Sequence, residues 1–159
     1  MRTFVESRHE MEQILREEGL GFLALMGNPG PYVIPLNYAY LEGCIIFHCA
    51  LAGRKLDCIR ANPAVCFTVA RQTGTVQPHF GTVCHVDSDS VISLGRARIV
   101  EEPHEKAALL NAFNRRFRPD SPDVPDQRIR RCAVVEIRID EMTGRREVDG
   151  NVTYWRHRF

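Results

Sequence analysis

Hydrophobic positions along this chain alternate between two periods. Met11, Ile14 and Leu15 recur at helical spacing behind Ser7-x-x-Glu10, a capping-box pattern, and Gly19 follows as a stop. The spacing predicts a short amphipathic helix over Ser7 to Glu18. Gly21 to Met26 reads as a strand closed by the turn signal Asn28-Pro29-Gly30-Pro31. Tyr32 to Tyr40 predicts a second strand, Glu42-Gly43 a tight turn, and Cys44 to His48 a third strand, together an antiparallel meander. Lys55 to Arg60 predicts a helix that stops before Asn62-Pro63. Ala64 to Ala70 and Val91 to Val100 predict further strands, with Gly74, Pro78 and Gly81 breaking up the stretch between them.

Pro103 sits where a helix begins, and Leu109, Leu110, Phe113 and Phe117 line one face of that helix. Arg118 to Gln127, rich in Pro and Asp, reads as a loop. Cys132 to Ile139 alternates, with Ala133, Val135, Ile137 and Ile139 on one side and Glu136 and Arg138 on the other. Thr143-Gly144 reads as a turn before a tail containing Tyr154-Trp155. Six or seven strands with helices between some of them predict a mainly β (α+β) fold, a closed or half-closed barrel with flanking helices.

The second strand separates its residues by size. Tyr32, Ile34, Leu36, Tyr38 and Tyr40 share one face, suited to a core; Val33, Pro35, Asn37 and Ala39 share the other. Pro35 cannot donate a ladder hydrogen bond and implies a sheet edge or a bulge. The small-residue face suits either a flat ring or a lightly packed surface, and the spacing leaves both open.

The length of 159 residues fits one domain over 1–159. A composition of 44% hydrophobic and 26% charged residues is that of an ordinary globular protein. The net charge of +1 provides no field for gathering nucleic acid. No apolar run reaches membrane-spanning length. Six cysteines lie largely within apolar runs, behind a charged N-terminus and without a CxxC pair, which predicts a reduced, cytoplasmic protein without a metal site.

The candidate chemistry gathers after the third strand. His48 ends the strand, a turn through Gly53 follows, and Arg54 and Lys55 stand side by side where a helix begins. A helix N-terminus offers unpaired N–H groups and positive potential, so two cations there suit a phosphate monoester; they also suit a plain surface pair. His48 is either a structural histidine or a donor to a bound anion or substrate oxygen.

Taken in order, Val33-Ile34-Pro35-Leu36-Asn37-Tyr38, Ile46-Phe47-His48-x-Ala50-x-x-Gly53-x-Lys55-Leu56, Ile59-x-x-Asn62-Pro63-x-Val65-x-Phe67, Ser90-Val91-x-x-x-Gly95-x-Ala97 and Met142-Thr143-Gly144-Arg145 resemble one family. It is the pyridoxamine 5′-phosphate oxidase-like flavin-binding split-barrel superfamily, within which the chain is most similar to the 5-nitroimidazole-resistance group. The resemblance runs from about Glu10 to Arg146. It implies a six-stranded antiparallel split β-barrel with flanking helices, forming a homodimer with FMN in a groove at the interface.

The resemblance also implies roles. Ile34, Pro35, Leu36, Asn37 and Tyr38 run along the isoalloxazine ring, and Arg54 and Lys55 bind the FMN phosphate. His48 lies near the cofactor facing the substrate and is the catalytic candidate. Ser90 and Val91 line the site and Trp155 caps it. The implied activity is that of an FMN-dependent oxidoreductase passing two electrons from reduced flavin to a small oxidised substrate such as a nitroaromatic. The partners are then a small molecule and a second copy of the chain, with neither nucleic acid nor membrane. Two alternatives stay open: a flavin- or haem-binding protein without turnover, with His48, His79 or His85 as axial ligand, and a pyridoxamine 5′-phosphate oxidase proper. The latter needs a second phosphate site, for which no basic cluster stands out beyond the Arg-rich second half. The segment from Phe80 to Ser88, with Cys84 and His85, departs from the family's spacing and bears on the substrate wall.

Overall fold

A computed structural model of the chain describes residues 3–74 and 86–159. The elements run β1 (Val5–Glu6), α1 (Arg8–Glu17), β2 (Leu20–Met26), β3 (Pro31–Asn37), β4 (Ala39–Leu41), β5 (Cys44–Cys49) and α2 (Arg54–Ala61). They continue β6 (Ala64–Gln72), β7 (Ser88–Ile99), α3 (Pro103–Phe117), α4 (Asp126–Ile129), β8 (Ala133–Val148) and β9 (Asn151–Arg158). The fold is mainly β with flanking helices, as the alternation predicts.

The long strand β8 organises the sheet. One edge pairs antiparallel with β7 from Ile99↔Val135 to Ser88↔Glu147. The other edge is shared: β5 takes Ala133 to Arg138, and β9 takes Glu141 to Val148. The sheet splits at this change of partner. From β7 the path continues through β6 and β2 to β3, which ends it, while β1 ends it beyond β9. Pro35 therefore lies on a terminal strand, the edge position its missing N–H requires.

Inward-facing residues of the strands form one core that includes Leu23, Phe47, Phe67, Ile137 and Ile139, with Met11, Ile14 and Leu15 of α1 packed into it. These are the i, i+3, i+4 positions of the predicted amphipathic helix. A second, smaller core lies on the outer side of β5 and β8, where Ile46 and Val134 meet Leu110 of α3 and Ile129 of α4. Two buried carboxylates tie the layers together. Glu12 accepts from Tyr40 Oη at 2.6 Å and from Arg8 and Arg16, and Asp89 accepts from Arg71 and Arg146.

Several expectations are corrected. The stretch from Tyr32 to Tyr40 is two strands, because the chain breaks at Tyr38, whose hydroxyl donates to the carbonyl of Leu15 on α1. β3 then pairs with β2 while β4 pairs with β5, so the simple meander does not form. Thr143-Gly144 is not a turn but the interior of β8; the reversal is at Asp149-Gly150, both at positive φ. Gly144 is small because Trp155 and Met11 crowd it: a Cβ there would lie 2.8 Å from the Trp155 ring. Ser7 is the N-cap of α1 but makes no side-chain capping bond, and Glu10 reaches across to Arg146 instead. The loop after α3 holds over residues 118–125, and the short helix α4 takes up its last two residues, Asp126 and Gln127. Among the described residues nine strands are present where six or seven were expected, the additions including the short β1 and β4.

Candidate functional site

β5 ends at Cys49, and the chain turns through residues 50–53 into α2. Gly53 makes the turn possible: its φ of +139° is open to glycine and strained for any other residue. Its carbonyl accepts from the amides of Leu56 and Asp57 at 2.9 and 3.2 Å and so closes the first helical turn. The N–H groups of Arg54 and Lys55 precede any intrahelical acceptor and face outward with the positive end of the helix dipole.

The two side chains are held apart by aromatic rings. The Arg54 guanidinium lies 4.3 Å from the centre of the Tyr32 ring on β3, and Lys55 Nζ lies 5.4 Å from that of Phe47. A cavity of about 180 Å³ opens between them, lined by Tyr32, Cys49, Ala50, Ala52, Gly53, Arg54, Lys55 and Leu56. Among the described residues no carboxylate lines it. Asp57, the nearest acid in sequence, is engaged by Arg60 at 3.2 Å.

His48 points to the outer side of β5, beneath α3. Its ring stands edge-on to Phe113 at 4.9 Å. Partial burial and, secondarily, the nearby Lys55 ammonium push its pKa down, so the imidazole is neutral at neutral pH, with one nitrogen a donor and the other an acceptor. Two adjoining cavities share it. One of about 490 Å³ is lined by Leu36, Asn37, His48, Phe113, Asn114, Phe117, Arg118 and Ser121. The other, about 380 Å³, extends from His48, Asn114 and Ser121 toward Val124, Arg128 and Cys132. Leu36 and Asn37 of β3 thus reach the hollow that His48 lines, and Tyr32 reaches the cationic corner. Ile34 and Leu36 turn inward, Pro35 and Asn37 outward, and Tyr38 is fully buried.

Ser90, Val91 and Trp155 lie elsewhere. Val91 and Trp155 stand opposite Gly144 on its two sides, and Ser90 pairs with Arg145. His48 stands opposite Val134, ten residues back along β8; at a strand's rise that is about 30 Å within one chain. Val91 and Trp155 are both buried, and Arg146 lies over the Trp155 ring at 4.8 Å. His79, Cys84 and His85 lie outside the described residues. Burial pushes the thiols of Cys44, Cys49, Cys66 and Cys132 up, which keeps them protonated and poorly nucleophilic.

Sequence reading missed the far wall of the hollow. Asn114 and Arg118, a helical turn apart, and Ser121 beyond the helix carry its polar groups. The signal was present: polar Asn114 sits beside Phe113 on α3. Phe117, on the same helical face as Leu109, Leu110 and Phe113, is about half exposed and lines the cavity.

Residues 7–146 match the pyridoxamine 5′-phosphate oxidase family. The chain belongs to this family. Solved structures agree on the fold. A Bacteroides thetaiotaomicron protein named for 5-nitroimidazole antibiotic resistance superposes with a TM-score of 0.78 at 24% identity, covering 89% of this chain and 85% of that one. The flavocytochrome Anf3 of Azotobacter vinelandii gives 0.81 at 20% identity, covering 98% and 79%. An FAD- and haem-binding protein of Mycobacterium smegmatis gives 0.80 at 15%, covering 96% and 83%. A curated relative, an uncharacterized protein of Rhizobium meliloti (strain 1021), is 32% identical over 66 residues, so the match spans 42% of this chain and 43% of that protein. Among the described residues no helix is long and apolar enough to cross a membrane.

A flavin phosphate suits the cationic corner: two cations, free amides at a helix start, an open cavity and, among the described residues, no lining acid.

Proposed function

We propose that this family member is an FMN-binding oxidoreductase that reduces a small oxidised substrate, a nitroaromatic such as a nitroimidazole being the type expected. The observation that carries the reading is the Arg54–Lys55 pair at the start of α2, facing an acid-free cavity beside β3. Arg54, Lys55 and their amides hold the phosphate. Ile34, Pro35, Leu36 and Asn37 supply backbone and side-chain contacts along the ring, with Tyr38 anchoring the end of that segment in the core. Bound flavin supplies the two-electron chemistry. His48, neutral and at the junction of the two cavities, donates a hydrogen bond that orients the acceptor.

The protein acts as a homodimer in this reading. The outer face of β2, β3, β6 and β7 carries two apolar rows in register: Pro35, Phe22, Thr68 and Ile92, then Val33, Ala24, Cys66 and Leu94. Phe22, Ile92, Leu94 and Val33 are all more than 40% exposed, a contiguous patch that a second copy would cover. Dimerisation also gives half-buried Ser90 a route to the site, since a partner can bring its own far end of β7 and β8 to the cationic corner; Val91 and Trp155, packed in the core, would support that end from within.

Absorbance of the purified protein tests the proposal. Flavin bands, FMN released on heating, and nitroaromatic turnover slowed about 10²-fold by His48→Ala with flavin retained are expected. A colourless protein that takes up no added FMN overturns it. A second reading, haem binding with His48 as axial ligand, draws on the neutral imidazole at the cavity junction and predicts a Soret band lost in His48→Ala.

A further inference from the structure

The hollow under α3 has a chemical bias of its own. Phe113 and Phe117, with ring centres 5.1 Å apart, and Leu36 give it an apolar wall. The amides of Asn37 and Asn114, the Ser121 hydroxyl and the Arg118 guanidinium give it polar groups, and among the described residues none of these side chains has a hydrogen-bond or ion-pair partner. Among the described residues no acid lines the larger cavity. The one acid of the adjoining cavity, Asp123, is already paired with Arg115 at 2.5 Å. Since His48 is neutral, Arg118 is the only charged side chain among the described residues that line the larger cavity.

An unpaired guanidinium beside two aromatic rings, with amide donors opposite, matches one kind of small molecule. Its flat body packs on the rings, and its charged end meets the planar fork of Arg118. We propose that this hollow selects small planar carboxylic acids over their neutral analogues, and that Arg118 is the specificity-determining residue, pairing with the substrate carboxylate. The inference rests on reading the His48 hollow as the substrate site, and adds to it the charge of the substrate.

The arrangement of chain elements makes Arg118 well placed for this role. It is the C-cap of α3, its amide bonded to the Asn114 carbonyl at 2.9 Å, and its own carbonyl accepts from Ser121 N–H at 3.0 Å. Three of the polar lining residues therefore belong to one hydrogen-bonded turn, which keeps them together over the cavity.

Benzoate and benzamide, equal in shape and different in charge, are suitable probes. Calorimetric titration of the purified, flavin-loaded protein is expected to show benzoate binding at least about tenfold more tightly than benzamide. Arg118→Gln should bring benzoate to the benzamide level, and Arg118→Lys should keep part of the preference. Arg130→Gln, which removes an equal charge from the exposed surface, should leave the preference intact. Equal affinity for the two probes in the parent protein, binding of neither, or a preference that survives Arg118→Gln would overturn the proposal. Flavin content is read separately by absorbance: protein without flavin that still prefers benzoate would sink the flavin reading and leave this one standing.

Discussion

The guanidinium of Arg54, at the first position of α2, stacks on the ring of Tyr32, at the second position of β3. That contact joins the two elements from which the candidate cofactor site is built. It also restricts a flexible side chain that lines the cavity, so less rotamer freedom is lost when an anion binds.

Tyr32→Leu should therefore weaken FMN binding without abolishing it. A surface cation–π contact is worth about 0.5–1 kcal/mol, so a two- to fivefold rise in Kd is expected in a fluorescence titration. The double reversal Arg54→Glu, Lys55→Glu should remove measurable binding. Unchanged affinity in the double variant would show that the phosphate lies elsewhere.

Gly144 predicts a stability effect. A methyl group there would meet the Trp155 ring at 2.8 Å and Met11 Cγ at 2.9 Å, both parts of the packed core. Gly144→Ala should cost about 1–3 kcal/mol through overpacking. Urea denaturation should show a lower midpoint with a similar slope, and an unchanged midpoint would mean that Trp155 has room to move.

Asp89 sets an acid limit. Burial on its own would raise its pKa, but the hydrogen bonds and charges of Arg146 and Arg71 outweigh it and hold the carboxyl below its ordinary value. A depressed folded-state pKa gives stability that is fully present above the unfolded-state value of about 3.9 and is lost as pH falls through the folded one. Asp89→Asn should lower stability at pH 7 by about 1–3 kcal/mol and flatten its decline below pH 4. Equal acid sensitivity in the variant would assign the effect to other groups, Glu12 first among them.

The exposed rows on β2 and β7 predict an association effect. Ile92→Glu combined with Leu94→Glu places two charges in the patch proposed to face a second copy. Sedimentation should show a dimer becoming a monomer, with flavin lost in parallel if the far end of the partner's β8 completes the site. A parent protein that sediments as a monomer would remove the dimer from the proposal.

How much of this could be read from the sequence follows from which forces were local. The helix start at Arg54, the terminal position of the strand holding Pro35 and the alternation of Cys132 to Ile139 depend on φ angles, missing donors and side-chain period, all written in neighbouring residues. The break at Tyr38 does not: it depends on a hydroxyl bond to Leu15, 23 residues away. Gly144 carries a turn signature, yet it is needed for a distant tryptophan and so lies mid-strand. The hollow under α3 was half legible. His48 and Asn37 stood in recognised segments, whereas Asn114 and Arg118 acquire meaning only when α3 folds back over β5. The register also separates Trp155 from His48 along β8, a spacing that no local pattern reports.

The strand β8 is bonded along both edges for almost its whole length, whereas β3, among the described residues, is held on one edge only and includes two prolines. Peeling of the sheet should accordingly begin at β3 and reach β8 last. The ligand-facing strand is then the part of the molecule free to breathe, opening and reclosing around an incoming ring while the spine behind it stays shut. Amide hydrogen exchange would register this as rapid labelling from residue 31 to 37 against lasting protection from residue 133 to 139.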